Sequence, residues 1–261
     1  MAYIFKSCIF ATKFITLIIQ TIIKMKKMTT ALFLGLTAMA FTWTSCDKSE
    51  DLSQKKEKEE QNAICKHADI LLQEKQMTNY DKWVYIDLES GKTETKTDYR
   101  EWVYGMMNRQ TGEMDQTTKT IPERANNEPK KWHIAFHLYD PMTNGGEVMI
   151  AGKDTTSVDQ ITELPKGGTW TADKPVWILV DMAGMMQMPP TMGYSKGFSN
   201  PNLHKYMFRA GMGQYEMANK GRIFIVKFKD GSFAAIKFTD ITDATGKKKQ
   251  VSFDYKFVKK K

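Results

Sequence analysis

Eight of the chain's eighteen methionines fall between Asp181 and Gly221: Met182, Met185, Met186, Met188, Met192, Met207, Met212 and Met217. The same stretch holds Gly184, Pro189, Pro190, Gly193, Gly197 and Gly211, so it reads as loop rather than helix. Methionine on a regular element usually just fills irregular gaps in a core. Loops run over the surface, and a loop full of thioethers exposes sticky, oxidisable groups unless they face a ligand or lie beneath a lid. Thioether sulfur is a soft donor suited to Cu(I), and it is also an axial ligand for haem iron, where it favours the reduced state. A greasy pocket without ligation is the third reading of this cluster.

Other residue types with chemical capacity are sparse. Of three cysteines, Cys8 and Cys46 lie near the N-terminus, which leaves Cys65 alone: no internal disulfide and no cysteine-based metal site can form. There is no Gly-rich phosphate loop, G-x-S-x-G elbow, H-E-x-x-H or EF-hand pattern, which argues against the commonest enzyme classes. Of four histidines, His133 and His137 share a strand-like segment, and His67 lies near a polar tether. His204, inside the methionine-rich region, is retained as an alternate ligand. Tyr194, Phe198, Tyr206, Phe208 and Tyr215 can stack on a planar ligand or simply pack in a core, and Lys196 and Lys205 can pair with its carboxylates.

The elements that must position these residues begin after an export signal. Residues 1–46 contain five lysines and no acidic residue. Read from Met25 as the true start, Lys26 and Lys27 form a basic region, and Ala31 to Phe41 forms an apolar run too short to span a bilayer. Thr44-Ser45-Cys46 then follows as a lipoprotein-type signal, with Cys46 taking the lipid, while Ala38-Met39-Ala40 offers a second cut. The upstream run Phe14 to Ile23 is either an in-frame extension or a weak membrane segment. Removing the five lysines leaves 33 basic against 30 acidic residues, a net charge of +3 instead of +8, so a nucleic-acid partner has no electrostatic support.

Residues 47–76 read as a polar tether, with a short charged helix as the alternative reading, any helix falling mostly between Lys55 and Gln76. Residues 77–261 read as an all-β domain with minor helix, from short aromatic and β-branched runs separated by Gly, Asn, Asp and Pro. Strands are expected near Lys82 to Leu88, Lys131 to Tyr139, Glu147 to Ala151, Val176 to Val180, Arg222 to Lys229, Ser232 to Thr239 and Val251 to Val258. The clearest pair is a hairpin around Lys229-Asp230-Gly231-Ser232, a turn whose glycine can take positive φ.

Trp132-His133-Ile134-Ala135-Phe136-His137-Leu138-Tyr139-Asp140, followed by Thr143-Asn144-Gly145-Gly146-Glu147, resembles the HmuY family of haem-binding surface lipoproteins, or haemophores. Further blocks agree in order: Trp83-Val84-Tyr85 before Ser90-Gly91, then Gly197-Phe198-Ser199, then Arg222-Ile223-Phe224-Ile225-Val226 through Asp230-Gly231 to Phe238-Thr239-Asp240. The resemblance implies a hand-shaped, β-sandwich-like domain that grips one haem (iron protoporphyrin IX) between two loops. It further implies a lipid-anchored protein of the outer membrane and cell surface, also released from the cell and without enzymatic activity. Such a protein takes haem from host haemoproteins or other haemophores and passes it to a TonB-dependent outer-membrane receptor.

The family's founding pattern uses two axial histidines, and this chain departs from it at both places. Met185-Met186-Gln187-Met188 puts Met186 at the first histidine position, with Met188 in the slipped register, and Phe208-Arg209-Ala210-Gly211-Met212 puts Met212 ahead of Met207 at the second. Iron held by Met186 and Met212, with reduced haem preferred, is therefore what the resemblance implies. From different classes, a Cu(I)-handling protein using the same sulfurs and a surface lipoprotein that binds protein or glycan are the alternatives.

Overall fold

In a computed structural model the described residues are 65–73, 80–108, 110–211, 214–242 and 249–260. Cys46, the signal segment and Met212 lie outside them. The chain is all-β, as expected. In chain order the strands are β1 (Lys66–Gln73), β2 (Lys82–Asp87), β3 (Lys92–Thr97), β4 (Trp102–Met107), β5 (Met114–Ile121), β6 (Ile134–His137), β7 (Asp140–Thr143) and β8 (Glu147–Ile150). There follow β9 (Thr171–Ala172), β10 (Lys174–Asp181), β11 (Met192–Ser199), β12 (Met207–Gly211), β13 (Gln214–Met217), β14 (Phe224–Lys227), β15 (Phe233–Thr242) and β16 (Lys249–Val258).

These strands pair into a six-stranded sheet, β1-β16-β15-β14-β8-β9, two four-stranded sheets, β3-β2-β6-β7 and β10-β11-β4-β5, and the hairpin β12-β13. The middle of the fold is set by residue pattern. The runs Trp83-Val84-Tyr85-Ile86 and Ile134-Ala135-Phe136-His137 are buried throughout, which requires both faces of β2 and β6 to be covered. On one face Val84, Ile86, Ile134 and Phe136 join the six-stranded sheet in the main core, with Phe224, Val226, Phe253 and Tyr255. On the other, Trp83, Tyr85 and Ala135 pack against Ile178 and Val180 of β10. The result is three sheets in layers.

The hairpin expected around Asp230-Gly231 is present, with β14 paired to β15 and Gly231 at φ 84°. Two expectations fail. The segment read as tether or helix between Lys55 and Gln76 contains strand β1 at Lys66–Gln73, which pairs antiparallel with β16. Its sequence, KHADILLQ, mixes polar and apolar residues because an edge strand buries only Ile70 and Leu72 deeply, so its pattern passes equally for a helix start. The region from Asp181 to Gly221 is also not all loop: β11, β12 and β13 lie within it. Gly193 and Gly197 sit inside β11 rather than breaking it; a Cβ at Gly197 would meet Ile178 Cγ1 of the neighbouring strand at 2.7 Å and Trp83 Cζ2 of the facing layer at 3.4 Å. Glycine is there for close approach between layers.

Candidate functional site

The inner face of the β10-β11-β4-β5 sheet is committed to the core. Alternation then places Trp177 and Leu179 of β10, Met192, Tyr194, Lys196 and Phe198 of β11 and Val103 of β4 on the opposite face. Phe198 is 44% exposed, and Trp177, Leu179 and Val103 are half-buried. The Lys196 ammonium lies 5.2 Å from the Trp177 ring centroid. This is an apolar, partly aromatic sheet face with a cation on it, the kind of surface that takes a flat apolar ligand.

At one end of that face, the connection from β10 to β11 carries Met182, Met185, Met186 and Met188. It is organised by its own hydrogen bonds. Tyr104 Oη donates to Asp181 Oδ2 (2.9 Å), and Asp181 Oδ1 accepts from the Ala183 amide (2.8 Å). The Gly184 carbonyl accepts from the amides of both Gln187 (3.1 Å) and Thr191 (3.0 Å), and Met185 N donates to Met182 O (2.9 Å). Burial and the Asp181 carboxylate push the Tyr104 phenol up to about 12, so it remains a donor. A Cβ at Gly184 would sit 1.7 Å from Thr191 O, so only glycine closes this loop. The Met188-Pro189 bond is cis. Thus tied, the loop turns its thioethers outward: Met185 is 47% exposed, Met186 88% and Met188 93%.

The β4-β5 hairpin ends beside this loop and adds sulfur that the sequence reading passed over. Met192 pairs with Gly105, and a Cβ at Gly105 would meet the Met114 methyl at 2.8 Å, so Met114 lies directly over that glycine. Met106 is 38% exposed. The signal was available in Met106-Met107 and Met114, but nothing in sequence joins residue 106 to residue 192 before the pairing of β4 with β11 is known.

Along β10 from the loop, a cleft of about 410 Å³ is lined by Val176, Trp177, Ile178, Ser199, Pro201, His204 and Asp140. Its far wall is the 3-10 turn Leu203–Tyr206, which leads directly into β12, so the β10-β11 and β12-β13 hairpins both spring from this cleft. The turn is clamped. Asn200 Oδ1 accepts from the amides of Asn202 (3.1 Å) and Leu203 (2.9 Å), and Asn202 Nδ2 donates to Val148 O (3.0 Å) and Thr171 Oγ1 (2.9 Å). His204 Nδ1 stands 3.2 Å from Asp140 Oδ1.

On β12, Phe208 is 48% exposed, whereas Met207 is 6% exposed within the main core. Met217, its register partner, and Tyr215 pack against the same core. Tyr206 is fully buried, stacked on Phe238 at 4.2 Å, and its hydroxyl donates to Tyr139 O (2.9 Å). Of the five aromatic residues singled out from sequence, Phe198 and Phe208 present large exposed surfaces. Lys205 Nζ donates to Asn202 Oδ1 (2.8 Å).

His133 and His137 are both buried, as their position suggested. The Leu88 amide donates to His133 Nδ1 (3.1 Å), and Phe228 and Phe257 enclose that ring. His137 Nε2 donates to Tyr80 O, and its ring lies 5.3 Å from that of Trp83. Burial pushes both imidazoles below their ordinary value. A network absent from the sequence reading holds the layers together: Asp98, 1% exposed, accepts from Trp83 Nε1 (2.7 Å), Ser195 Oγ (3.1 Å), and Arg100 through its backbone (2.9 Å) and guanidinium (3.1 Å). Among the described residues, no three His, Cys, Asp or Glu side chains form a metal-binding group, and no helix is long and apolar enough to cross a membrane.

The sequence matches the HmuY protein family over residues 79–255. Apo PinO from Porphyromonas gingivitis is 40% identical, over 76% of this chain and 99% of that one, with a TM-score of 0.65. The apo HmuY analog of Tannerella forsythia is 33% identical, over 76% and 97%, with a TM-score of 0.62. A Bacteroides vulgatus protein described as HmuY-like and heme-binding is 24% identical, over 74% and 91%, with a TM-score of 0.53, a likeness of fold. A search of curated proteins returns no match. Fold, motif order and these relatives agree: the chain belongs to the HmuY family.

Proposed function

We propose that this protein is a haem-binding lipoprotein, not an enzyme, that seats one haem against the outward face of the β10-β11-β4-β5 sheet. The observation that carries this reading is the loop Met182–Thr191, where ordered hydrogen bonds hold Met185, Met186 and Met188 out in solvent. Exposing three thioethers on a well-tied loop forfeits burial at about 25 cal/mol per Å², a cost expected only where a ligand covers them. The residues fit haem: soft sulfur for iron, an apolar aromatic face for the macrocycle, and Lys196 for a carboxylate.

Met186 and Met212 are the proposed axial pair, with Met188 and Met185 next in the same loop. Met207 contributes by holding the root of β12 in the core. Bound haem supplies an iron with open axial positions; the chain supplies thioethers, which favour the ferrous over the ferric state relative to imidazole. The protein is anchored to the outer membrane through lipid on Cys46, takes haem from host haemoproteins or other haemophores, and gives it to a TonB-dependent receptor. The test is a visible absorption titration of the purified protein with haemin, with and without dithionite, alongside Met186→Ala and Met212→Ala. The expected result is a saturable one-to-one spectrum, tighter when reduced and weakened by either substitution. A free-haem spectrum under both conditions defeats the reading and makes Cu(I) the next ligand to try.

A further inference from the structure

The cleft at the root of the two hairpins contains one group that methionine ligation does not use. His204 is 38% exposed in its side chain, and its backbone amide is tied to Asn200 O (2.9 Å) within the clamped turn. Its Nδ1 meets Asp140 Oδ1 at 3.2 Å, and the ring borders the cleft with Trp177 and Pro201. A carboxylate beside one ring nitrogen favours the proton on that nitrogen and leaves the other nitrogen's lone pair for a metal.

The other three histidines offer no accessible nitrogen of this kind, and the unpartnered Nδ1 of His137 is buried. His67 has both ring nitrogens on carboxylates, Asp254 at 2.7 Å and Asp69 at 3.3 Å. His137 is 2% exposed with Nε2 spent on Tyr80 O, and His133 is 7% exposed and enclosed by aromatic rings. An exposed ion pair such as His204 with Asp140 contributes little stability by itself. What sets this one apart is the apolar cleft in front of it.

We infer that His204, beside Asp140, is an iron ligand additional to the loop methionines and takes oxidised haem into this cleft through Nε2. The inference rests on the haem reading above. Imidazole is a harder donor than thioether and favours ferric iron relative to it, so the two ligand types divide the oxidation states. They also divide space. Trp177 stands four residues along β10 from Asp181, or about 13 Å at the usual strand rise, so His204 and the loop methionines serve two seatings of the porphyrin, one in the cleft at the root of edge strand β10 and one at the tip of its sheet.

The test titrates the purified full chain with haemin, and with haemin reduced by dithionite, for the wild type, His204→Ala, His204→Gln, Asp140→Asn and Met186→Ala. Both His204 variants are expected to lose at least about tenfold in ferric affinity and to change the ferric spectrum, while ferrous binding stays as in the wild type. Free imidazole is expected to restore the ferric spectrum of His204→Ala, which a purely structural role would not allow. Asp140→Asn is expected to lose about 10-fold in ferric affinity, the usual cost of removing a group that orients a ligand. Met186→Ala shows the opposite pattern, losing ferrous binding first. Ferric affinity and spectrum unchanged in both His204 variants overturn the inference while leaving methionine ligation standing; a wild type that binds haem in neither state fails the haem reading itself.

Discussion

The β6 strand and the β10-β11 loop both carry side chains of iron-ligating type, and the fold treats them in opposite ways. Around β6, His133 and His137 are sealed between layers, one nitrogen of each engaged by Leu88 or Tyr80, the other His137 nitrogen buried out of reach, and their rings against Phe257 and Trp83. At the β10-β11 loop, Met186 and Met188 stand almost fully in solvent on a backbone as well hydrogen-bonded as many core turns. The polar ring is inside and the apolar thioether outside, which inverts ordinary residue preference. The lesson is that ligand capacity follows the free lone pair and its access, not residue type: the better iron ligand by chemistry is here a packing element.

The sharpest way to break this contrast is on the buried side. Trp83→Ala removes a fully buried ring and its bond to Asp98, and is expected to cost about 3–5 kcal/mol in urea denaturation. His137→Ala leaves the Tyr80 carbonyl unpaired and is expected to cost about 1–3 kcal/mol while leaving the spectrum of bound haem unchanged. A haem spectrum that changed with His137→Ala at constant stability would erase the contrast.

On the exposed side the expectation reverses. Gly184→Ala places a Cβ against Thr191 O and should disorganise the methionine loop, lowering haem affinity by about 10–100-fold, as loss of a ligand's support does. Titration of that variant with reduced haem checks it, and wild-type affinity would mean that loop order is irrelevant. By contrast Met186→Ala and Met188→Ala should change the unfolding free energy of the ligand-free protein by less than about 0.5 kcal/mol, since nothing is packed around either side chain.

The buried histidines also set a pH response. Burial holds the folded-state pKa of His133 and His137 below the unfolded value, so below about pH 6.5 the unfolded chain binds more protons and stability falls with pH. His67 works the other way: its hydrogen bond to Asp254 raises its pKa, stabilising the fold at low pH and fading as pH rises, but it is 52% exposed and its effect is small. The ligand-free protein is therefore expected to lose stability between pH 7 and pH 5.5 in urea denaturation, with the slope reduced in His137→Gln.

Where a segment is buried on both faces or alternates strictly, it was legible from sequence, as for Lys82 to Leu88 and the hairpin around Gly231. β1, β3 and β5 were missed because edge strands of mixed polarity, such as KTETKT and MDQTTKTI, carry no apolar period to read. The methionine cluster was legible as an anomaly of composition, but not its division. Met207 goes to the core because strand pairing, invisible in sequence, sets which face it takes, while Met186 stands in solvent because the turn closed on the Gly184 carbonyl carries it outward. Likewise the apolar face of Trp177, Leu179 and Phe198 required the register of β10 against β11.

The central claim is that sulfur from the exposed loop, rather than nitrogen from the buried strand, holds reduced iron. Iron-edge X-ray absorption of the dithionite-reduced haem complex tests it directly. The account predicts an axial sulfur scatterer in the wild type that is diminished in Met186→Ala and intact in His137→Ala. An iron surrounded by nitrogen alone in the reduced wild-type complex would contradict it.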